Sequence, residues 1–218
     1  MQSMNRAKKL SSYNSFKPTT GVGLRRLGQA PAPASGKFGG WAHGYTAYMM
    51  NNDLSYLSIA IAVGFGATFV MDMWTLFLSR AFNIPSPNYC LVGRWLRYMP
   101  DGVFRHSNIT ATPKKPAECI VGWTAHYVIG AIYALSLVLV TSHQWLREAT
   151  LAPAIILGVA TVAIPFLTMQ PAFGLGVASS KTPNPTQARL RSLTNHTVFG
   201  LGLYLSAVAI RMVFNAYA

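Results

Sequence analysis

The stretch Leu54–Leu78 reads LSYLSIAIAVGFGATFVMDMWTLFL and contains a single charged side chain, that of Asp72. A helix rises about 1.5 Å per residue and the hydrocarbon core of a bilayer is about 30 Å thick, so roughly 20 apolar residues cross it. The stretch is apolar around its whole circumference, whereas a surface helix of a soluble protein keeps a polar face. We therefore predict a transmembrane helix here.

Three later stretches are equally poor in charge: residues 119–146, 151–170 and 192–210. Each is long enough to cross a bilayer. The whole chain is 51% hydrophobic and only 11% charged, which is lean in charge for a soluble domain of 218 residues. The sequence predicts an all-α integral membrane bundle of four transmembrane helices with up-down topology and two longer basic loops on one side.

The first 52 residues differ in composition from the rest of the chain. They carry seven basic residues, and no acid appears before Asp53. Residues 28–40 are rich in Gly, Ser, Pro and Ala and cannot bury enough apolar surface to offset the entropy of ordering. We predict a disordered basic extension over 1–52 and a transmembrane domain over 53–218. The extension is either a solvated tail, an organelle transit peptide, or the product of a start placed upstream of Met49 or Met50.

The basic residues also bear on orientation and location. The loops after the first and third stretches hold nine of them, against Arg147 and Arg211 on the side of the termini. The positive-inside rule then predicts cytoplasmic loops, although counting the extension gives nine on each side. We expect a bacterial inner membrane, or an organelle membrane if the extension is a transit peptide. Basic loops beside anionic lipid account for the net charge of +13, so the expected partner is the bilayer and not nucleic acid.

Four polar residues within the apolar stretches fall near the same membrane face in an up-down bundle: Asp72, His126, Gln170 and His196. Ionisable groups in spans are costly, commonly face the bundle interior, and are functional candidates by default. A pocket here would open toward basic residues of the two long loops. These candidate contacts are Arg94, Arg97, Arg105, Lys181, Arg189 and Arg191.

Small residues recur at intervals of four on the same helical stripes as two of these polar residues, which predicts an inward orientation. The stripes are Ala60, Gly64, Thr68, Asp72 and Gly122, His126, Gly130, Ala134. Asp72 and His126 can then meet across the first two helices. Such a contact could equally be a structural hydrogen bond between helices, of about 1 kcal/mol.

Three chemistries suit the polar residues. Asp72, His126 and His196 could hold a transition metal, and the two histidines could be axial ligands of a haem. No local spacing motif supports either cofactor. A proton site or an anion site is favoured, because imidazole titrates near neutral pH and arginine recognises carboxylate or phosphate. Cys90 and Cys119 show no metal spacing and are expected to be free thiols.

Several short motifs resemble those of a mainly bacterial multi-span membrane family catalogued only as a domain of unknown function. They are GAT at 66–68, MDMW at 71–74, NY at 88–89, LVGRW at 91–95, FRH at 104–106, GW at 122–123, AHY at 125–127, PF at 165–166, MQP at 169–171, SKTP at 180–183 and HTVFGLGLY at 196–204. The resemblance covers about Leu54 to Ala207. It implies a multi-pass membrane protein but no particular activity, cofactor or catalytic residue.

The sequence thus favours a multi-pass membrane protein whose polar site binds or transports a small ion or anionic solute. Four spans are few for a transporter, so a homo-oligomer would supply the path. The alternative is a non-catalytic accessory subunit of a membrane complex, in which a small-residue face with Gly202 and Ser206 meets a partner. An enzyme is the less favoured hypothesis, since residues 94–106 would have to fold back over the pocket.

Overall fold

The computed structural model describes residues 53–216, so the predicted extension over 1–52 lies outside the described residues. Four helical segments in this part of the chain are long and apolar enough to cross a membrane. We name them spans one to four in chain order. They are Asp53–Phe82, Glu118–Thr141, Leu151–Ala172 and Pro185–Ala216. The described residues contain helices and no strand, which confirms the predicted all-α fold with four spans.

Several helix boundaries differ from the prediction, since span one continues to Phe82 and span four to Ala216. Span four begins at Pro185, seven residues before the predicted start at Ser192. Span two ends at Thr141, and the short helix Gln144–Glu148 follows it. The absence of charge marks the part of a helix that lies in hydrocarbon, whereas a helix can continue into the polar headgroup zone with its charged residues.

Span three is not a regular α-helix throughout. It is α-helical over Leu151–Thr161, becomes a π-helix over Pro165–Met169, and ends as the α-helical turn Gln170–Ala172. Pro165 contributes to this change because proline has no backbone N–H and disrupts the preceding turn. Wider π-helical turns often occur at functional sites. This one directly precedes Gln170, one of the predicted polar residues.

The spans pack closely at small residues. Span one contacts spans two and four, and span three packs against span four. A Cβ atom added to Gly64 would lie 2.6 Å from the Cα atom of Ala131, and one added to Gly158 would lie 2.6 Å from the Cα atom of Gly200. Larger side chains at these glycines would therefore force the helices apart. The small residues of the predicted stripes are buried, as their spacing indicated.

Gly202 and Ser206 were predicted to form an exposed face that meets a partner, and the structure packs this face against span one instead. A Cβ atom on Gly202 would lie 2.9 Å from the Cα atom of Ala67, and Ser206 lies against Gly66. This small-residue face is thus used within the molecule, where it allows span four to approach span one closely.

The loop between spans one and two contains a helix that the sequence analysis missed. This loop helix, Tyr89–Tyr98, begins after Asn88, whose side chain accepts a hydrogen bond from the backbone N–H of Cys90. The loop helix lies against the start of span two at paired glycines. A Cβ atom on Gly93 would collide with the carbonyl oxygen of Glu118, and one on Gly122 with the carbonyl oxygen of Tyr89.

Cys90 and Cys119 form a disulfide bond, so the expectation of free thiols is wrong. The two residues are 29 positions apart in sequence, and no short motif relates them. They meet because the loop helix folds back along the first turns of span two. The disulfide therefore joins the first turn of the loop helix to the first turn of span two.

Candidate functional site

Asp72 of span one and His126 of span two are in direct contact inside the bundle. His126 Nε2 donates a hydrogen bond of 3.0 Å to Asp72 Oδ1, and each side chain is only 10% exposed. The hydroxyl of Tyr127 donates a second bond of 3.0 Å to Asp72 Oδ2. Both oxygens of the carboxyl group therefore have a partner. We call these three side chains the carboxylate site.

The carboxylate site lies within the apolar spans. Asp72 is ten residues before the end of span one, about 15 Å along the helix axis, and His126 is eight residues, about 12 Å, after the start of span two. A lone carboxylate at such a depth is costly, whereas an imidazolium beside it cancels its charge. The pair can therefore hold one proton without leaving net charge in the membrane.

Aromatic side chains cover the loop side of His126. The ring of Tyr89 stacks on the imidazole with 3.8 Å between centroids, and Trp123 lies edge-on to both rings, at 4.9 Å from Tyr89 and 5.8 Å from His126. Burial, followed by the negative charge of Asp72, raises the pKa of the Tyr89 hydroxyl well above its usual range. Tyr89 therefore stays neutral. Its electron-rich ring face suits a protonated imidazole.

The position of this aromatic cover is set by the loop helix that carries Tyr89. The next residue, Cys90, is bonded to span two, and Arg94 forms a buried two-point ion pair with Glu118. Both guanidinium–carboxylate distances are 2.8 Å. The disulfide, the ion pair and the glycine contacts together fix the cover over His126.

Arg94 was predicted to contact a solute, and the structure places it instead in a buried structural network. Besides Glu118, its Nη1 atom donates to the carbonyl oxygens of Ile109, Thr110 and Thr112, at 3.1, 3.4 and 2.9 Å. The hydrogen bond with Glu118 is the main cause that raises the pKa of Arg94 above its ordinary value. Arg94 therefore organises the loop over residues 109–112.

Gln170 and His196 join spans three and four. Gln170 Nε2 donates to Ser192 Oγ at 3.4 Å, and Gln170 Oε1 is buried without a hydrogen-bond partner. The hydroxyl of Thr161 donates its proton to the carbonyl of Gly158. The Thr161 oxygen therefore accepts a hydrogen bond of 2.9 Å from Nδ1 of His196. Among the described residues, no hydrogen bond joins either side chain to the carboxylate site.

The other predicted basic contacts lie on the surface of the loops or at their edge. Arg97, Arg105, Lys181 and Arg189 are exposed, and Arg189 donates to the carbonyl of Ala178 at 2.8 Å. Arg191 is half-buried in span four. Within residues 53–216, no three His, Cys, Asp or Glu side chains are grouped so that they could hold a metal ion.

Sequence reasoning found Asp72 and His126 but missed the residues around them. Tyr127 is the neighbour of His126, yet a helix turns about 100° per residue, so the two side chains were not expected to share one partner. Tyr89 lies outside the spans and reaches His126 only because the loop helix folds back. The pair Gly93 and Gly122 was the available signal for that close approach, since glycine permits contact between backbones.

The fold and the buried polar groups define an integral membrane protein with four helical spans. The chain matches the family described as a protein of unknown function, DUF2938, over residues 61–210. It belongs to that family, which confirms the resemblance seen in its motifs. Comparisons with curated proteins and with solved structures found no match.

Proposed function

We propose that this protein binds a small ion or anionic solute at the carboxylate site and moves it across the membrane coupled to a proton, which a cation replaces and an anion accompanies. The observation that supports the proposal is the direct contact between Asp72 and His126 inside apolar spans. Paired ionisable side chains are expensive in hydrocarbon and mark ion and proton pathways in other membrane proteins.

The chemistry follows from the charge of the pair. With one proton shared between carboxylate and imidazole, Asp72 and His126 are neutral together. Loss of that proton leaves a negative charge that attracts a cation, whereas uptake of a second proton leaves a positive charge that attracts an anion. Imidazole is suited to this role because it can both take up and release a proton. Binding of the ion and of the proton is therefore coupled at this site.

A second candidate function is that of a non-catalytic subunit of a membrane complex. It is favoured by the two hydrogen bonds that Asp72 already accepts, since His126 and Tyr127 occupy one oxygen each. In this case the carboxylate site only joins spans one and two. A partner would then contact the lipid-facing surface.

Flux through reconstituted protein tests the first proposal against the second. The full chain would be placed in liposomes that contain a pH-sensitive dye, and salts of sodium, potassium, chloride, phosphate and acetate would be added in turn. We expect at least one ion to drive proton movement above the level of protein-free liposomes. The variant Asp72→Asn should lower that rate at least about tenfold, because the amide cannot exchange the proton.

Asp101→Asn is the matched control, because it makes the same chemical change in an exposed ion pair with Lys115. It should keep the rate of the unaltered protein. Two results would contradict transport through the carboxylate site and favour the accessory subunit. One is an equal rate of proton movement in Asp72→Asn and Asp101→Asn, and the other is no proton movement with any of the five ions.

A further inference from the structure

A separate cavity of about 140 Å³ lies where spans one and four meet the loop that follows span one. Span four contributes Arg191, Ser192 and Asn195 to its wall. Leu78 and Ile84 provide an apolar wall opposite these polar groups. The cavity thus combines a cationic, hydrogen-bonding side with a hydrophobic one.

Arg191 has no counter-charge within hydrogen-bonding reach among residues 53–216. It is half-buried, and it makes no hydrogen bond or ion pair with the other residues of the described part of the chain. The whole sequence has only five acids. Three of them have partners on the loop side: Asp72 with His126, Asp101 with Lys115, and Glu118 with Arg94.

The remaining two acids lie toward the other membrane face. Glu148 follows span two and accepts a hydrogen bond from Gln144. Asp53 begins span one, 22 residues from Thr75 of the cavity wall, which is about 33 Å along the helix. A partly buried charge without compensation is unfavourable. The charge of Arg191 is therefore expected to be balanced by an anion that binds from outside the chain.

The side chains of the polar wall suit a phosphate group. Arg191 and Asn195 are four residues apart on one helix, so they lie on the same face, and Ser192 is beside them. A guanidinium fork, a hydroxyl and an amide N–H can each donate to phosphate oxygens. Ser192 Oγ already accepts a bond from Gln170 Nε2, which leaves the proton of the hydroxyl available for a ligand.

We propose that this cavity binds a phosphate group, carried either by an anionic phospholipid or by a soluble phosphate. Arginine forms charge-assisted hydrogen bonds with phosphate, and the wall with Leu78 and Ile84 would contact the apolar part of such a lipid. The inference does not rest on the proposed function, because neither Asp72 nor His126 lines the cavity.

The test measures binding of two probes to the full chain in a phosphate-free detergent. Radiolabelled inorganic phosphate is followed by equilibrium dialysis, and phosphatidylglycerol by native mass spectrometry with phosphatidylcholine as the reference lipid. We expect saturable binding of one probe, weakened about tenfold or more by Arg191→Gln. Binding of phosphate identifies a soluble ligand, whereas binding of phosphatidylglycerol alone identifies a lipid headgroup.

Arg97→Gln is the control, because it removes the same charge from an exposed position of the loop helix and should leave binding unchanged. Asn195→Leu removes a donor without changing the charge and should also weaken binding, which keeps the test valid if Arg191→Gln fails to fold.

Equal binding by the Arg191→Gln and Arg97→Gln variants, or no saturable binding of either probe, would overturn the proposal. If the variant His126→Gln keeps phosphate binding but loses flux, the cavity and the carboxylate site act independently of each other.

Discussion

Asp72 meets His126 between spans one and two, and Arg94 meets Glu118 between the loop helix and span two. The four-residue spacing of small residues placed Asp72 and His126 on packed helix faces, and their hydrogen bond follows from that geometry. Arg94 was expected to face a solute because it lies in a basic loop. Its partner Glu118 is 24 residues away, and that pairing depends on how the loop helix folds back.

At this scale we predict that Glu118→Gln strongly destabilises the protein. The change leaves the buried guanidinium of Arg94 without its counter-charge, and breaking a buried ion pair in this way costs about 3–5 kcal/mol. The free energy of unfolding in mild detergent measures the effect.

The variant Asp101→Asn provides the comparison for Glu118→Gln. It breaks an ion pair with Lys115 whose side chains are 28% and 53% exposed, and such a surface pair contributes about 0–1 kcal/mol. Equal losses of stability in the two variants would show that the Arg94–Glu118 pair does not hold the loop in the way described.

Among the elements, the four spans were predictable because bilayer thickness imposes a long apolar run. The loop helix and the π-helical turn were not. The loop helix has only ten residues and is stabilised by contact with span two, so its own pattern is too short to identify it. The π-helix depends on the hydrogen bonds around Pro165, which an apolar run does not specify.

The disulfide between the loop helix and span two can be tested by replacing both cysteines. Removing it with Cys90→Ser and Cys119→Ser should lower the free energy of unfolding by about 3–4 kcal/mol, because it closes a loop of 29 residues in the unfolded chain. The loop helix should stay docked through Arg94 and Glu118. Thermal unfolding with and without a reductant measures the loss.

The double serine variant is itself the control, since a reductant should not change its stability. Alkylation followed by mass spectrometry gives an independent result. Modification of both cysteines in the unreduced protein would contradict the disulfide.

For the whole molecule, the disulfide changes the expected orientation. Nine basic residues on the loop side favour cytoplasmic loops, but disulfides persist in oxidising compartments and cytosolic thiols are kept reduced. Counting the seven basic residues of the extension gives nine on each side, which removes the charge bias. We therefore expect the loops to face the oxidising side and the C-terminus to face the cytoplasm.

Reporter fusions to the C-terminus in bacterial cells measure this orientation. A green fluorescent protein fusion should fluoresce, because that reporter folds in the cytoplasm, and an alkaline phosphatase fusion should be inactive. The reverse pair of results would place the loops in the cytoplasm, as the positive-inside rule alone predicts.

Elemental and small-molecule mass spectrometry of protein purified in mild detergent tests whether the carboxylate site binds a ligand. The unaltered chain would be compared with the double variant Asp72→Asn, His126→Ala and with Asp101→Asn. We expect a stoichiometric ion or small anion in the unaltered protein and in Asp101→Asn, and its loss in the double variant. Identical, ligand-free preparations of all three proteins would contradict this expectation and leave Asp72 and His126 as a hydrogen bond between helices.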